Sequence, residues 1–188
     1  MERGDAGSLG ATLETAPAAV RPLPLRWCPE SPDFDQAALG EALRVLATVA
    51  ALEEHVRPQG EEAGGVEAEV ARLNQKVQLL MEMVGSLIRA QLSLPKAASV
   101  RLTAAGLRWQ TDMPPALDSR GMIELWLHPA CPDPLRLPVR VLAVSSDSPT
   151  TVEAAFEELP EVLSGALEKL VFLRHRRELA ESRQLRRG

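Results

Sequence analysis

The strongest pattern in the chain is an alternation of apolar spacings of four and three residues that runs from Val66 to Leu94. Val66, Val70, Leu73, Val77, Leu80, Val84, Leu87 and Leu94 carry it, with Gln91 as its one polar member. Taking Val70 as heptad position a, the d positions read Val66, Leu73, Leu80, Leu87 and Leu94. About four heptads of this kind predict a coiled-coil helix over 66–94. Such a helix is roughly 43 Å long, longer than a small domain is wide, so something outside its own domain has to cover the stripe. Val at a with Leu at d favours two strands. The flanks, however, carry Met81 and Ile88 at e and Met83 and Ala90 at g, and this wider apolar face fits three or four strands better. Self-association through these residues is the expectation, a parallel homotetramer ahead of a dimer. The alternative is that the helix pairs with its predecessor inside one chain.

That predecessor is predicted over Phe34–Arg57, with Asp33 or Asp35 as cap and Leu39, Ala42, Leu43, Leu46, Val49, Ala50 and Val56 at helical spacing. A Gly- and Glu-rich linker, 58–65, separates the two helices. Prolines cluster on either side of this helical region, and long proline-free runs between prolines are helix candidates. After Ala97 the period changes to two. Val100–Thr103, Leu107–Gln110, Met122–Leu127, Leu135–Val144 and Val152–Phe156 read as strands, with a turn at Ala104-Ala105-Gly106. Leu163–Leu185 reads as a closing helix that buries Leu163, Ala166, Leu167, Leu170 and Leu173. Short strands at regular spacing predict a small antiparallel barrel, and hence an α+β protein.

Composition narrows the class. Of 188 residues, 45% are hydrophobic and 25% charged, as in folded soluble chains. The net charge of −5 and the 3% aromatic content argue against nucleic-acid binding. Cys28 and Cys131 are too few for a disulfide framework and fit a reducing compartment. The first twenty residues lack an export signal, and no stretch approaches the ~20 apolar residues of a membrane span. A cytoplasmic protein is expected, with residues 1–19 disordered.

Residues Ser99–Phe156 resemble the PilZ domain, a bacterial family known for binding cyclic di-GMP. Arg101-Leu102-Thr103-Ala104-Ala105-Gly106 stands at the place of the family's (D/N)xSxxG motif. Pro114-Pro115 with Arg120-Gly121 resembles its following loop, Pro138-Val139-Arg140-Val141 its next strand, and Ala155-Phe156-Glu157-Glu158-Leu159 its ending. Arg21–Trp27 resembles the first barrel strand, which places the helical pair 33–95 as an insertion between 20–32 and the remaining barrel with its closing helix, 96–188. The resemblance implies a PilZ-type barrel and a part in bacterial signalling or motility, with type IV pili, flagella or virulence as settings. The ligand motifs differ. Family members use RxxxR before the first strand, whereas Arg21 and Arg26 here are five apart, and Arg101 puts a donor-only cation where the family has an acceptor. Thr103 and Gly106 fit a strand residue and a hairpin glycine as well as a ligand site. The expectation is a divergent member without cyclic di-GMP binding, acting through an unidentified signalling or motility protein. A receptor using Arg21, Arg26, Arg101, Thr103 and Gly106 in a rearranged site is the alternative, and a coiled-coil adaptor a third reading.

Other chemistry has little to stand on. His128-Pro-Ala-Cys131 with Cys28 is one ligand pair too few for a structural zinc site, and His55 and His175 lie apart from it in sequence. No nucleophile elbow, HExxH or phosphate loop occurs, and Glu53-Glu54 and Glu157-Glu158 read as solvated faces, so neither an enzyme nor a cofactor is expected. Residues 174–188 hold six Arg against two Glu, which suits either docking to an acidic partner or compensation of the helix dipole.

Overall fold

The computed structural model describes residues 20–30, 33–54 and 66–185. Six antiparallel strands, β1 (Val20–Cys28), β2 (Ala97–Leu102), β3 (Gly106–Thr111), β4 (Arg120–Leu125), β5 (Leu135–Val144) and β6 (Thr150–Phe156), close a barrel in the order β1-β2-β3-β6-β5-β4. Three helices accompany them: α1 (Gln36–Glu54), α2 (Val66–Gln91) and α3 (Glu161–Leu185). The fold is α+β, and both inserted helices lie between β1 and β2 in sequence.

β1 closes the barrel by serving two neighbours, pairing with β2 through Val20–Pro24 and with β4 through Leu25–Cys28. Its prolines lack an N–H to donate, and the Pro24 carbonyl still accepts the Trp126 N–H (3.2 Å). Alternation in β5 sends Leu135, Leu137, Val139 and Val141 into the barrel and Arg136 and Arg140 outward. Leu107, Ile123, Leu125, Val152 and Ala154 are buried with them. β4 stops at Leu125, two residues short of the Met122–Leu127 expected from the apolar run. Trp126 instead donates its indole N–H to the Pro132 carbonyl (3.0 Å).

α1 is capped by Asp35, whose carboxylate accepts from Ala38 N–H at 2.9 Å. Its Ala42, Val45, Leu46, Val49 and Leu52 are buried, against α3 and β5. The partner of α1 is therefore the closing helix, which buries Leu163, Leu167 and Leu170, and the alternative of an α1–α2 hairpin does not apply. One buried ion pair joins the layers. Arg174 Nε and Nη2 donate to Glu53 Oε1 (2.9 and 2.7 Å), and Nη2 also donates to the Leu127 carbonyl (3.0 Å).

α2 ends at Gln91, so Leu94 is not a helical d position. Pro95 disfavours the α conformation at the residue before it, and Leu94 N–H instead closes a tight turn on the Leu92 carbonyl (2.9 Å).

Candidate functional site

The heptad positions of α2 face outward. Val66, Val70, Leu73, Val77, Leu80, Val84 and Leu87 are between 47% and 78% exposed. Leu79 at c, Met81 and Ile88 at e, and Met83 at g are exposed beside them. At 100° per residue these positions sweep roughly 200° of the helix surface. Leu79 lies outside the a/d/e/g set and was not singled out by the heptad pattern.

The opposite side of α2 meets its own domain. Gly85, at position b, is buried, and a Cβ there would lie 2.5 Å from Ala130 Cα and 2.9 Å from the Pro129 carbonyl oxygen. Gln78 and Ala71, one and two heptads earlier, are half-buried on the same line. The 128–131 turn under Gly85 is held by Ala130 N–H donating to His128 Nδ1 (3.1 Å) and Cys131 N–H donating to the His128 carbonyl (3.0 Å). Burial lowers the pKa of His128 below 6.5; Glu53 and Glu82 oppose the shift, and Arg174 and Arg177 reinforce it. The imidazole is therefore neutral near pH 7 and free to accept at Nδ1. Burial raises the thiol pKa of Cys131, and of Cys28 with help from Glu124. Among the described residues no group of three or more His, Cys, Asp or Glu is placed to hold a metal, and His55 lies outside them.

The residues at the ligand-motif positions are scattered around the barrel and bound into it. Arg21 donates to Glu178 of α3 through Nε (3.3 Å) and Nη2 (3.0 Å). Arg26 pairs with Glu124 (3.2 Å), a buried carboxylate that also receives Arg136 (2.9 Å), and it lies over the Trp126 ring at 5.6 Å. Arg101 stands opposite Arg108, whose guanidinium pairs with Glu153. Thr103 is buried. Its hydroxyl donates to the Gly106 carbonyl (2.9 Å) and accepts Gly106 N–H (3.1 Å), which locks the β2–β3 turn. Gly106 is required by packing, not by a left-handed turn: a Cβ would fall 2.2 Å from the Ala154 carbonyl oxygen. The space beside Arg21, between β1, β2 and α3, is about 20 Å³, room for about one water and far below the roughly 300–1,000 Å³ of small-molecule sites. A larger cleft of about 410 Å³ opens between β2 and β3 over Trp109, lined also by Lys96, Asp112 and Met113, and none of the three motif arginines lines it.

The closed barrel thus carries two helices inserted after its first strand, and the second of them turns an apolar surface outward. The family described as "Atypical PilZ domain, cyclic di-GMP receptor" matches residues 43–184, and the chain belongs to it. Among solved structures, a protein of Xanthomonas campestris described as a pathogenic protein with a tetrameric PilZ domain, self-assembled via an unusual helical bundle, shares the fold. Its TM-score is 0.69 at 24% identity, over 93% of this chain and 99% of that one. No curated protein matches the sequence significantly. Among the described residues, no helix is long and apolar enough to cross a membrane.

Proposed function

We propose that this protein is a non-enzymatic, self-assembling PilZ module that acts through protein–protein contacts in bacterial signalling or motility and does not use cyclic di-GMP. The observation that carries the reading is the unpartnered apolar arc of α2. Burying one such Val or Leu is worth about 1.5–3 kcal/mol, so a row of them left in water is a large uncollected driving force. A second copy offers the matching heptad. The width of the arc favours four strands over two, and the similar Xanthomonas protein is described as a tetramer built through a helical bundle. The seam consists of Val66, Val70, Leu73, Val77, Leu80, Val84 and Leu87.

The reading against cyclic di-GMP rests on charge already committed within the chain. A ligand phosphate at Arg21 would have to displace Glu178, and one at Arg26 would have to displace Glu124, which Arg136 also holds. The family name favours the opposite reading, a cyclic di-GMP receptor with a rearranged site at Arg21, Arg26 and Arg101. Light scattering and calorimetric titration on one sample test both. The expected result is a tetramer mass and no heat with cyclic di-GMP. The Leu80→Asp/Leu87→Asp variant is expected to be monomeric with an intact barrel. An unchanged mass in that variant would refute the seam, and micromolar binding would establish the receptor.

A further inference from the structure

The outer face of α3 has a charge and apolar pattern unlike the rest of this acidic chain. Positions on that face from the middle of the helix onward are Phe172, Arg176, Leu179 and Arg183, spaced by four, three and four residues. Phe172 is 59% and Leu179 43% exposed, and both arginines are exposed. Arg176 lies over the Phe172 ring at 5.7 Å, so the aromatic face and the cation already share one patch. Glu178 is turned away from this face toward Arg21, and the opposite side of the helix is spent on Leu163, Leu167, Leu170 and the Arg174–Glu53 pair. The sequence continues with Arg186 and Arg187. The chain as a whole carries −5, whereas residues 174–188 hold six Arg against two Glu, so this end of the chain is locally basic.

We propose that this strip docks on an anionic phospholipid surface. Phe172 and Leu179 enter the boundary between headgroups and acyl chains, while Arg176 and Arg183 keep their guanidinium groups at the lipid phosphates and extend their stems along the apolar layer. The alternation of bulky apolar and cationic residues favours a bilayer over an acidic protein surface, which would leave Phe172 and Leu179 in water unless it supplied its own pockets. The net charge sets the orientation: the remainder of the molecule is repelled by the same lipids that attract the strip. Self-assembly is not required, although several copies on one bundle would strengthen the attachment.

The test is co-sedimentation of the full chain with phosphatidylcholine vesicles and with vesicles that also contain phosphatidylglycerol. Binding is expected only to the second kind, weakening as salt rises. The Arg176→Glu/Arg183→Glu variant is expected to lose about thirtyfold or more in partitioning, and Phe172→Ser/Leu179→Ser a comparable amount. All four side chains are exposed, so both variants should retain the circular dichroism of the parent. Failure to bind phosphatidylglycerol vesicles would overturn the proposal, as would equal binding to both vesicle types or unchanged binding by the variants. A change of oligomeric mass in Phe172→Ser/Leu179→Ser would assign the strip to a second copy of the chain, and would also overturn it.

Discussion

Gly106 has no room for a methyl group, since its Cβ would meet the Ala154 carbonyl at 2.2 Å and Ala155 Cα at 2.9 Å. Gly106→Ala is expected to destabilise the fold by about 1–3 kcal/mol through overpacking, seen as a lower urea midpoint with an unchanged slope. Arg174 gives a larger effect. Its side chain and that of Glu53 are 8% and 7% exposed, and Arg174→Met would strand a buried carboxylate at a cost of about 3–5 kcal/mol. Arg174→Met/Glu53→Leu removes both charges and is expected to recover most of the loss, which urea titration of both variants would measure. In the sequence Arg174 is one of six arginines in a basic tail, and its pairing with a residue 121 positions away leaves no local trace. The ligand-motif positions were visible from the resemblance, but what each side chain binds depends on strands and helices that only the closed barrel brings together. His128 adds a pH dependence. Its pKa is held below 6.5 by burial, so as pH falls through 6.5 the unfolded chain takes up a proton that the folded chain resists, and stability drops. His128→Asn, whose side-chain carbonyl can still accept the Ala130 N–H, is expected to flatten the stability profile between neutral and mildly acid pH.

At the scale of elements, the heptad of α2 was legible because burial in a helix repeats with a fixed period, and the chain writes that period over its whole length. The face that carries Gly85 was not legible. Ala71, Gln78 and Gly85 share position b but no common chemistry, and only the 128–131 turn makes a glycine necessary there. The sign of one substitution separates the two situations. In a helix free of its domain, Gly85→Ala would stabilise by about 0.8–1 kcal/mol through propensity alone. Against Ala130, the added carbon sits at 2.5 Å and has to push the helix or the turn away. The expected outcome is net destabilisation, with faster amide exchange confined to α2 and residues 128–131. Slower exchange would mean that α2 does not rest on the barrel in solution. α2 ends three residues before its apolar spacing does, for a local reason: the spacing continues to Leu94, but Pro95 sets the backbone of its neighbour.

For the whole molecule, the barrel with α1 and α3 encloses its own core, whereas α2 turns its apolar arc to solvent. These two parts should respond differently to dilution. A single helix of 26 residues with its apolar face in water is only marginally stable on its own, so the helicity of α2 depends on whatever covers it. The core of the barrel is closed within one chain. If copies of α2 cover one another, the equilibrium is linked to protein concentration, and lowering the concentration should reduce mass and far-ultraviolet helix signal in step. The stacked Trp27 and Trp109, with ring centroids 6.5 Å apart, report on the barrel and should keep their fluorescence through the same dilution. Leu80→Asp/Leu87→Asp should show the dilute behaviour at every concentration. Loss of mass with a constant helix signal would instead mean that the contact through Gly85 is enough to hold α2 helical, and the bundle would then be an association of preformed helices. Parallel loss of helix signal and tryptophan fluorescence would mean that the barrel itself depends on assembly, against the independent core described above.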